Sequence, residues 1–133
     1  MITSLNHIGI AVRDIEASKA LYQKIFGIER FHSEIVEEQM VQVASFKVGD
    51  VIIELTAPTS PESAIAKFLD KRGEGIHHIA FGTDAIREEL LRLNKEGIQL
   101  INPEPREGAH EMLIAFLHPK STGGVLMELC EPK

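Results

Sequence analysis

The stretch NHIGIAV at 6–12 returns as HHIAFGT at 77–83, and this repetition decides the fold. Both stretches have the short apolar composition of a β-strand, and a segment of helical periodicity follows each of them. Each carries a histidine at the corresponding position, His7 and His78, which are 71 residues apart. The sequence therefore predicts a supersecondary module that occurs twice.

A second pair of strand-like stretches, VIIEL at 51–55 and LMEL at 126–129, repeats in the same order. It places Glu54 and Glu128 74 residues apart, close to the spacing of the histidines. Each module thus contributes one imidazole and one carboxylate. Because these groups suit a hard or borderline divalent metal, we expect a four-ligand site at the seam between the modules.

The first module has the order βαβββ. Asp14 is placed to cap a helix that ends before Gly27, and alternating segments with a tight Gly49-Asp50 turn then predict three strands. The predicted strands lie at 5–12, 29–37, 40–48 and 51–57.

The second module repeats this order, with Asp84 as the expected helix cap and Gly97 past the helix end. Its later strands are expected at 98–101, 111–118 and 125–131. We therefore predict an α+β fold in a single domain, 1–133. Module one spans about 1–57, a linker with a short amphipathic helix about 58–74, and module two about 75–133.

Composition limits the possible partners. The chain has 133 residues, 20 acidic against 14 basic residues and a formal charge of −6, so neither a nucleic acid nor an anionic membrane is expected as a partner. A single cysteine excludes an internal disulfide framework, and the start MITSLNHIGI resembles neither an export leader nor a membrane span. We expect a cytoplasmic protein.

Strand alternation gives the repeated residues a common setting. Small residues share the face of each histidine, Gly9 with His7 and Ala80 with His78, which leaves space around both imidazoles. Taken singly, a strand glutamate is usually solvated and a strand histidine is usually a satisfied core residue. The doubled pattern favours a metal site over these structural explanations.

Other polar residues carry weaker signals. His77 points away from the His78 face, which favours a core or supporting role, and Cys130 is interpreted as a small buried hydrophobe. The acidic patch Glu34, Glu37 and Glu38 is interpreted as a solvated edge. His32 and His110 carry no independent signal.

The chain resembles the vicinal oxygen chelate superfamily and, within it, the family of methylmalonyl-CoA epimerases. The likeness runs nearly end to end and is strongest in NHIGIAVRDIE at 6–16, SPESAIAKFLDKRGEGIHHIAF at 60–81 and FLHPKSTGGVLMEL at 116–129. The resemblance implies two βαβββ modules paired into a cupped mixed sheet with helices outside. It also implies a homodimer.

The resemblance implies a metal-dependent isomerase that interconverts the R and S forms of methylmalonyl-CoA, an acyl-CoA thioester, through a metal-stabilised enolate. It implies His7, Glu54, His78 and Glu128 as ligands of a divalent ion, for which cobalt, nickel, manganese, zinc and magnesium all remain open. Some epimerases carry Gln at the position of Glu54. Glu in its place makes the ligand set look more like that of glyoxalase I.

Epimerisation needs an acid/base group on each side of the α-carbon, and Glu128 is the first choice for one. The family pattern places another carboxylate on the strand containing VQVASF, where this chain offers only Gln42. Since an amide cannot act as a base, Glu54 or a metal-bound water remains open for the second role. We expect Gln42 as a substrate contact, with Lys120 and Ser121 near the coenzyme A phosphates.

Three alternatives remain from the sequence. A glyoxalase I-like lactoylglutathione lyase would use the same ligand set, and HPKSTGGVL is the main stretch that argues against it. An extradiol dioxygenase would be expected to be larger. A non-catalytic small-molecule-binding module of the same fold would be expected to lack these His and Glu residues.

Overall fold

The computed structural model describes residues 1–133 and contains three α-helices and eight β-strands. The helices are α1 (Ile15–Phe26), α2 (Ala64–Arg72) and α3 (Ile86–Lys95). The strands are β1 (Ile2–Ala11), β2 (His32–Val36), β3 (Val41–Val48), β4 (Val51–Pro58), β5 (Gly75–Thr83), β6 (Arg106–Glu107), β7 (Met112–Leu117) and β8 (Met127–Pro132). This is the mixed α+β composition that the sequence predicts.

The chain divides into two compact units whose boundaries fall inside β1 and β5. The N-terminal unit contains residues 8–77, and the C-terminal unit contains residues 1–7 together with 78–133. The first half of β1 thus belongs to the C-terminal unit and its second half to the N-terminal unit. The predicted module boundaries near residues 57 and 75 describe the sequence repeat and stay a prediction.

The N-terminal unit is a sheet in the order β2-β3-β4 followed by the end of β1, packed against α1. β2, β3 and β4 pair antiparallel, and the predicted tight turn at Gly49-Asp50 joins β3 to β4. Asp14 caps α1 by accepting hydrogen bonds from the Glu16 and Ala17 amides, and Gly27 ends it in the left-handed region. The core beneath this helix consists of Val12, Ile15, Ala44, Leu55 and Ala57.

The C-terminal unit has the order β1-β5-β8-β7-β6, in which β5 and β8 are parallel and the pairs β8-β7 and β7-β6 are antiparallel. Its core packs against α3 and consists of Ile86, Leu90, Ala115, Leu117 and Leu129. Each unit therefore buries one sheet face under one long helix. The opposite face carries the histidines and glutamates of the repeat.

Two sequence predictions in the second module are wrong in detail. The predicted strand at 98–101 has only an isolated bridge between Leu100 and Leu117, and the short strand β6 lies a few residues later in the expected loop. The predicted cap Asp84 makes no capping bond to α3, which begins after Ala85. The Thr83 hydroxyl and the Glu131 carboxylate accept hydrogen bonds from the Ala85 and Ile86 amides instead.

None of the three helices is long and apolar enough to cross a membrane.

Candidate metal centre

Three of the four predicted ligands meet inside the C-terminal unit. The Nε2 atoms of His7 and His78 lie 3.1 Å apart. Glu128 lies against both, with its Oε2 atom 3.4 Å from His7 Nε2 and its Oε1 atom 3.4 Å from His78 Nε2. All three side chains are buried. β1, β5 and β8 each contribute one of them.

The distances among these atoms suit a bound cation. Metal–nitrogen bonds of about 2.1 Å place neighbouring ligand atoms roughly 3.0–3.4 Å apart in octahedral or tetrahedral geometry. Two imidazole Nε2 atoms that face each other need a proton or a cation between them, because their lone pairs repel. The donor set of two imidazoles and a carboxylate therefore fits a divalent metal.

The side chain of Asn6 and the burial of the ring set the orientation and the charge of His7. The Asn6 Oδ1 atom lies 2.8 Å from His7 Nδ1, so an Nδ1–H can donate to it and leave the Nε2 lone pair directed at His78. Burial, with the nearby His110 as the second cause, lowers the pKa of His7 to about 4. At neutral pH the ring is uncharged, which is the form that ligates a metal.

Small residues and one aromatic ring shape the space around His78. Ala80 and Gly82 share its buried face of β5, as the strand alternation predicts, and the Phe116 ring packs edge-on with its centroid 5.6 Å from that of His78. His77 lies on the other face, where it packs against Phe68 and burial lowers its pKa to about 4. This is the core setting expected for His77.

Cys130 also lies close to the three side chains. One ligand atom each of His7, Glu128 and Cys130 lie within 4.8 Å of one another. The thiol is fully buried and donates to the Phe81 carbonyl oxygen at 3.6 Å, which agrees with its interpretation as a small buried residue.

Glu54, the fourth predicted ligand, is a buried carboxylate of the N-terminal unit. It lies on β4 opposite Ser45 of β3 and is 6% exposed. Burial raises its pKa to about 7, and the charge of Glu34 adds to this effect. A carboxylate in such a setting is costly to ionise without a cation.

The face of the N-terminal sheet that carries Glu54 is polar beyond that residue. Thr56, two positions along β4, is 4% exposed, and its hydroxyl has no hydrogen-bond partner. Strand pairing places Val43 opposite Thr56 and Glu34 opposite Val43, so that all three share the Glu54 face.

Three further residues, Gln42, Lys120 and Ser121, are predicted as substrate contacts. Gln42 pairs with Ala57 on the face of β3 and β4 that lies under α1, opposite to the face of Glu54. Gln42 as a substrate contact stays a prediction. The Ser121 hydroxyl accepts from the Gln99 amide, and Lys120 is exposed in the turn after β7.

Three features of the site escape sequence reasoning. Asn6 is adjacent to a predicted ligand but carries no spacing signal. Thr56 shares the Glu54 face by strand alternation but gives no signal of its own, and Glu34 comes to that face only through strand register. His110 has positive φ, as does the next residue, Glu111, a conformation uncommon for non-glycine residues. No local sequence motif predicts this turn.

Comparison with known proteins agrees with the geometry. Residues 6–116 match the model of the Glyoxalase/Bleomycin resistance protein/Dioxygenase superfamily. The chain is 46% identical over 129 residues to YqjC of Bacillus subtilis, covering 97% of this chain and 92% of that protein. It is 38% identical over 131 residues to the ethylmalonyl-CoA/methylmalonyl-CoA epimerase of Cereibacter sphaeroides, covering 97% and 98% of the two chains.

A solved methylmalonyl-CoA epimerase in complex with methylmalonyl-CoA and NH4+ superimposes with a TM-score of 0.95 at 40% identity, covering 99% of this chain and 96% of that one. The predicted vicinal oxygen chelate fold is thereby confirmed. The chain therefore belongs to the Glyoxalase/Bleomycin resistance protein/Dioxygenase superfamily and, within it, to the methylmalonyl-CoA epimerases, a group of isomerases.

Proposed function

We propose that this chain interconverts the R and S epimers of methylmalonyl-CoA by removing the α-proton and returning a proton to the other side of the carbon. The observation that carries the proposal is the buried cluster of His7, His78 and Glu128. Methylmalonyl-CoA as the ligand of a 40% identical epimerase supports the choice of substrate.

We propose that His7, Glu54, His78 and Glu128 together hold the divalent ion. The place of Glu54 in this set rests on the sequence repeat and on its burial with a raised pKa, which a neighbouring cation would reverse. When bound, the ion supplies positive charge that stabilises the enolate oxygen of the substrate.

The proton chemistry belongs to the protein side chains. Glu128 accepts the α-proton, and its buried setting keeps competing water away from the carboxylate. Asn6 holds the His7 ring in one orientation through the hydrogen bond to Nδ1. The second acid/base group, on the other side of the α-carbon, is Glu54 or a water molecule, the two candidates that the sequence analysis leaves open.

The coenzyme A tail is proposed to meet the turn after β7. Lys120 offers an exposed positive charge there, and the Ser121 hydroxyl can donate to a phosphate oxygen while it accepts from the Gln99 amide. We further propose that the protein works in the cytoplasm as a homodimer, as the family resemblance implies.

Exchange of the substrate α-hydrogen with solvent deuterium tests the reaction. We expect the metal-loaded protein to incorporate deuterium into methylmalonyl-CoA and to interconvert its epimers. The hemithioacetal of methylglyoxal and glutathione tests the lactoylglutathione lyase alternative, which the presence of two carboxylates in the ligand set favours. Turnover of that adduct without exchange of methylmalonyl-CoA would assign the chain as a lactoylglutathione lyase and not as an epimerase.

Metal binding is tested by titrating the metal-free protein with Co²⁺ and measuring the heat of binding by calorimetry. We expect His78→Ala to abolish tight binding, because it removes one of the two clustered imidazoles, whereas the control His118→Ala should bind as the wild type does. Equal binding by both variants would contradict the proposed ligand set.

A further inference from the structure

The C-terminal unit holds a sulfur donor beside the imidazoles and the carboxylate of the cluster. Cys130 is the only cysteine of the chain, and its side chain is fully buried on β8. One ligand atom each of His7, Glu128 and Cys130 lie within 4.8 Å of one another. All three residues belong to the C-terminal unit, so this group of donors is complete within one compact unit.

Strand geometry directs the thiol to the face of the sheet that carries the cluster. Cys130 follows Glu128 by two positions on β8, and residues two apart point to the same face of a strand. Its partner on β5 is Gly82, which has no side chain, and its partner on β7 is the buried Ile114. Neither strand partner places another polar side chain next to the sulfur.

The distances suit ligation of one ion by all three donors. Bonds of about 2.1 Å to nitrogen or oxygen and 2.3 Å to sulfur place neighbouring donor atoms roughly 3.1–3.6 Å apart around an ion. The three atoms already lie within 4.8 Å of one another, so small side-chain movements suffice. The thiol donates to the Phe81 carbonyl oxygen at 3.6 Å, a weak contact that a metal–sulfur bond can replace.

A sulfur ligand changes which metals a site prefers. Imidazole and carboxylate donors accept a wide range of divalent ions, and carboxylates suit hard ions such as magnesium and manganese. Thiolate is a soft ligand that favours zinc over these hard ions. A thiol within reach of the ion therefore biases the cluster toward thiophilic metals.

We propose that Cys130 is a ligand of this metal centre for thiophilic divalent ions such as zinc, together with His7 and Glu128. The inference rests on the metal site of the proposed function and not on the substrate. When the metal–sulfur bond forms, the S–H bond breaks, the thiol proton passes to solvent, and no oxidation state changes. Magnesium and manganese leave the thiol in its contact with Phe81.

Cobalt absorption tests the sulfur ligand directly, because a Co²⁺–thiolate bond produces a charge-transfer band in the near ultraviolet. The full-length, reduced, metal-free protein receives one equivalent of Co²⁺ in the absence of oxygen. We expect the band in the wild type and its loss in Cys130→Ser, whose hydroxyl can still donate to the Phe81 carbonyl oxygen. Because the chain has one cysteine, a thiolate band can come from no other residue.

Two histidine variants show whether the sulfur acts within the cluster. His7→Ala should lose the band although the sulfur is still present, because it removes a second ligand of the same ion. The control His118→Ala should keep the band at the intensity of the wild type.

Calorimetry with Zn²⁺ and Mn²⁺ measures the metal preference. Cys130→Ser and Cys130→Ala should each lower the Zn²⁺ affinity at least about tenfold and change the Mn²⁺ affinity by less than about threefold. Ile114→Val alters the packing beside Cys130 and keeps the sulfur, so it should match the wild type in both titrations.

The outcomes separate this inference from the proposed metal site. A wild-type protein that binds Co²⁺ without the band would overturn the role of Cys130 and leave the metal site intact, as would unchanged Zn²⁺ affinity in both Cys130 variants. A band that persists in His7→Ala would place the sulfur–metal bond outside the cluster and would also overturn the inference. A wild-type protein that binds none of the three ions would overturn the proposed metal site and the inference together.

Discussion

The polar faces of the two compact units differ in the contacts that their buried polar side chains make. In the C-terminal unit two imidazoles and a carboxylate already contact one another. In the N-terminal unit a buried glutamate has a raised pKa, and a threonine hydroxyl beside it lacks any partner. The difference teaches that the C-terminal unit has assembled a cluster whose donor set suits a cation, whereas the N-terminal unit keeps one unsatisfied hydroxyl near a buried carboxylate.

The comparison also separates the sequence repeat from the packing of the chain. His7 belongs to the first copy of the repeat by sequence, yet it lies in the same unit as His78 and Glu128 of the second copy. The first half of β1 thus belongs to the unit that contains most of the second copy. The cluster of His7, His78 and Glu128 therefore needs both copies of the repeat, although it lies in one unit.

The largest expected effect distinguishes the two glutamates of the repeat. Glu128→Gln should lower α-hydrogen exchange of methylmalonyl-CoA about 1000-fold or more, because an amide cannot accept the proton. The fold should persist, as far-UV circular dichroism would verify. Glu54→Gln should lower exchange by only about tenfold, since the amide oxygen can still ligate a metal. Equal losses for the two variants would assign Glu54 an acid/base role as well.

The second prediction concerns the stability of the metal-free protein. Glu54 has its pKa raised from 4.5 to about 7, so the folded state favours its protonated form. Its contribution to stability is complete below pH 4.5 and is lost as the pH rises through about 7. Glu54→Gln should therefore raise the free energy of unfolding at pH 8 by roughly 2–3 kcal/mol and change it little at pH 4.

Urea unfolding with a chelator present measures both values. A gain of the same size at pH 4 and pH 8 would show that packing, and not the charge of Glu54, is responsible.

The third prediction compares two threonines that are both 4% exposed. The Thr83 hydroxyl in the C-terminal unit donates to the Met1 carbonyl oxygen and accepts from the Ala85 amide, whereas the Thr56 hydroxyl has no partner. Thr83→Val should lower the free energy of unfolding by about 1–2 kcal/mol, and Thr56→Val should raise it by about 1 kcal/mol. Effects of the same sign in both would refute the contrast.

The sequence predicts the repeated elements well because their signals are local. The alternation in β1 and β5 and the glycine after α1 depend on neighbouring residues, and they identify the strands, the helix end and the face of each histidine. The row of Glu34, Val43 and Thr56 depends on strand register, which joins residues 9 and 13 positions apart through contacts that no periodicity specifies. The face on which Gln42 lies also depends on register, because it follows from the parity of its position in β3.

The smallest expected effect tests the point at which the two copies of the repeat differ locally. Asp14 and Asp84 occupy corresponding sequence positions, but α1 begins directly after Asp14, whereas α3 begins two residues after Asp84. Asp14→Ala should therefore cost about 1 kcal/mol of unfolding free energy. Asp84→Ala should cost less than about 0.5 kcal/mol, because its carboxylate only contacts the exposed amino group of Met1 at 3.2 Å. Chemical denaturation resolves this difference, and equal costs would mean that Asp84 caps its helix in solution after all.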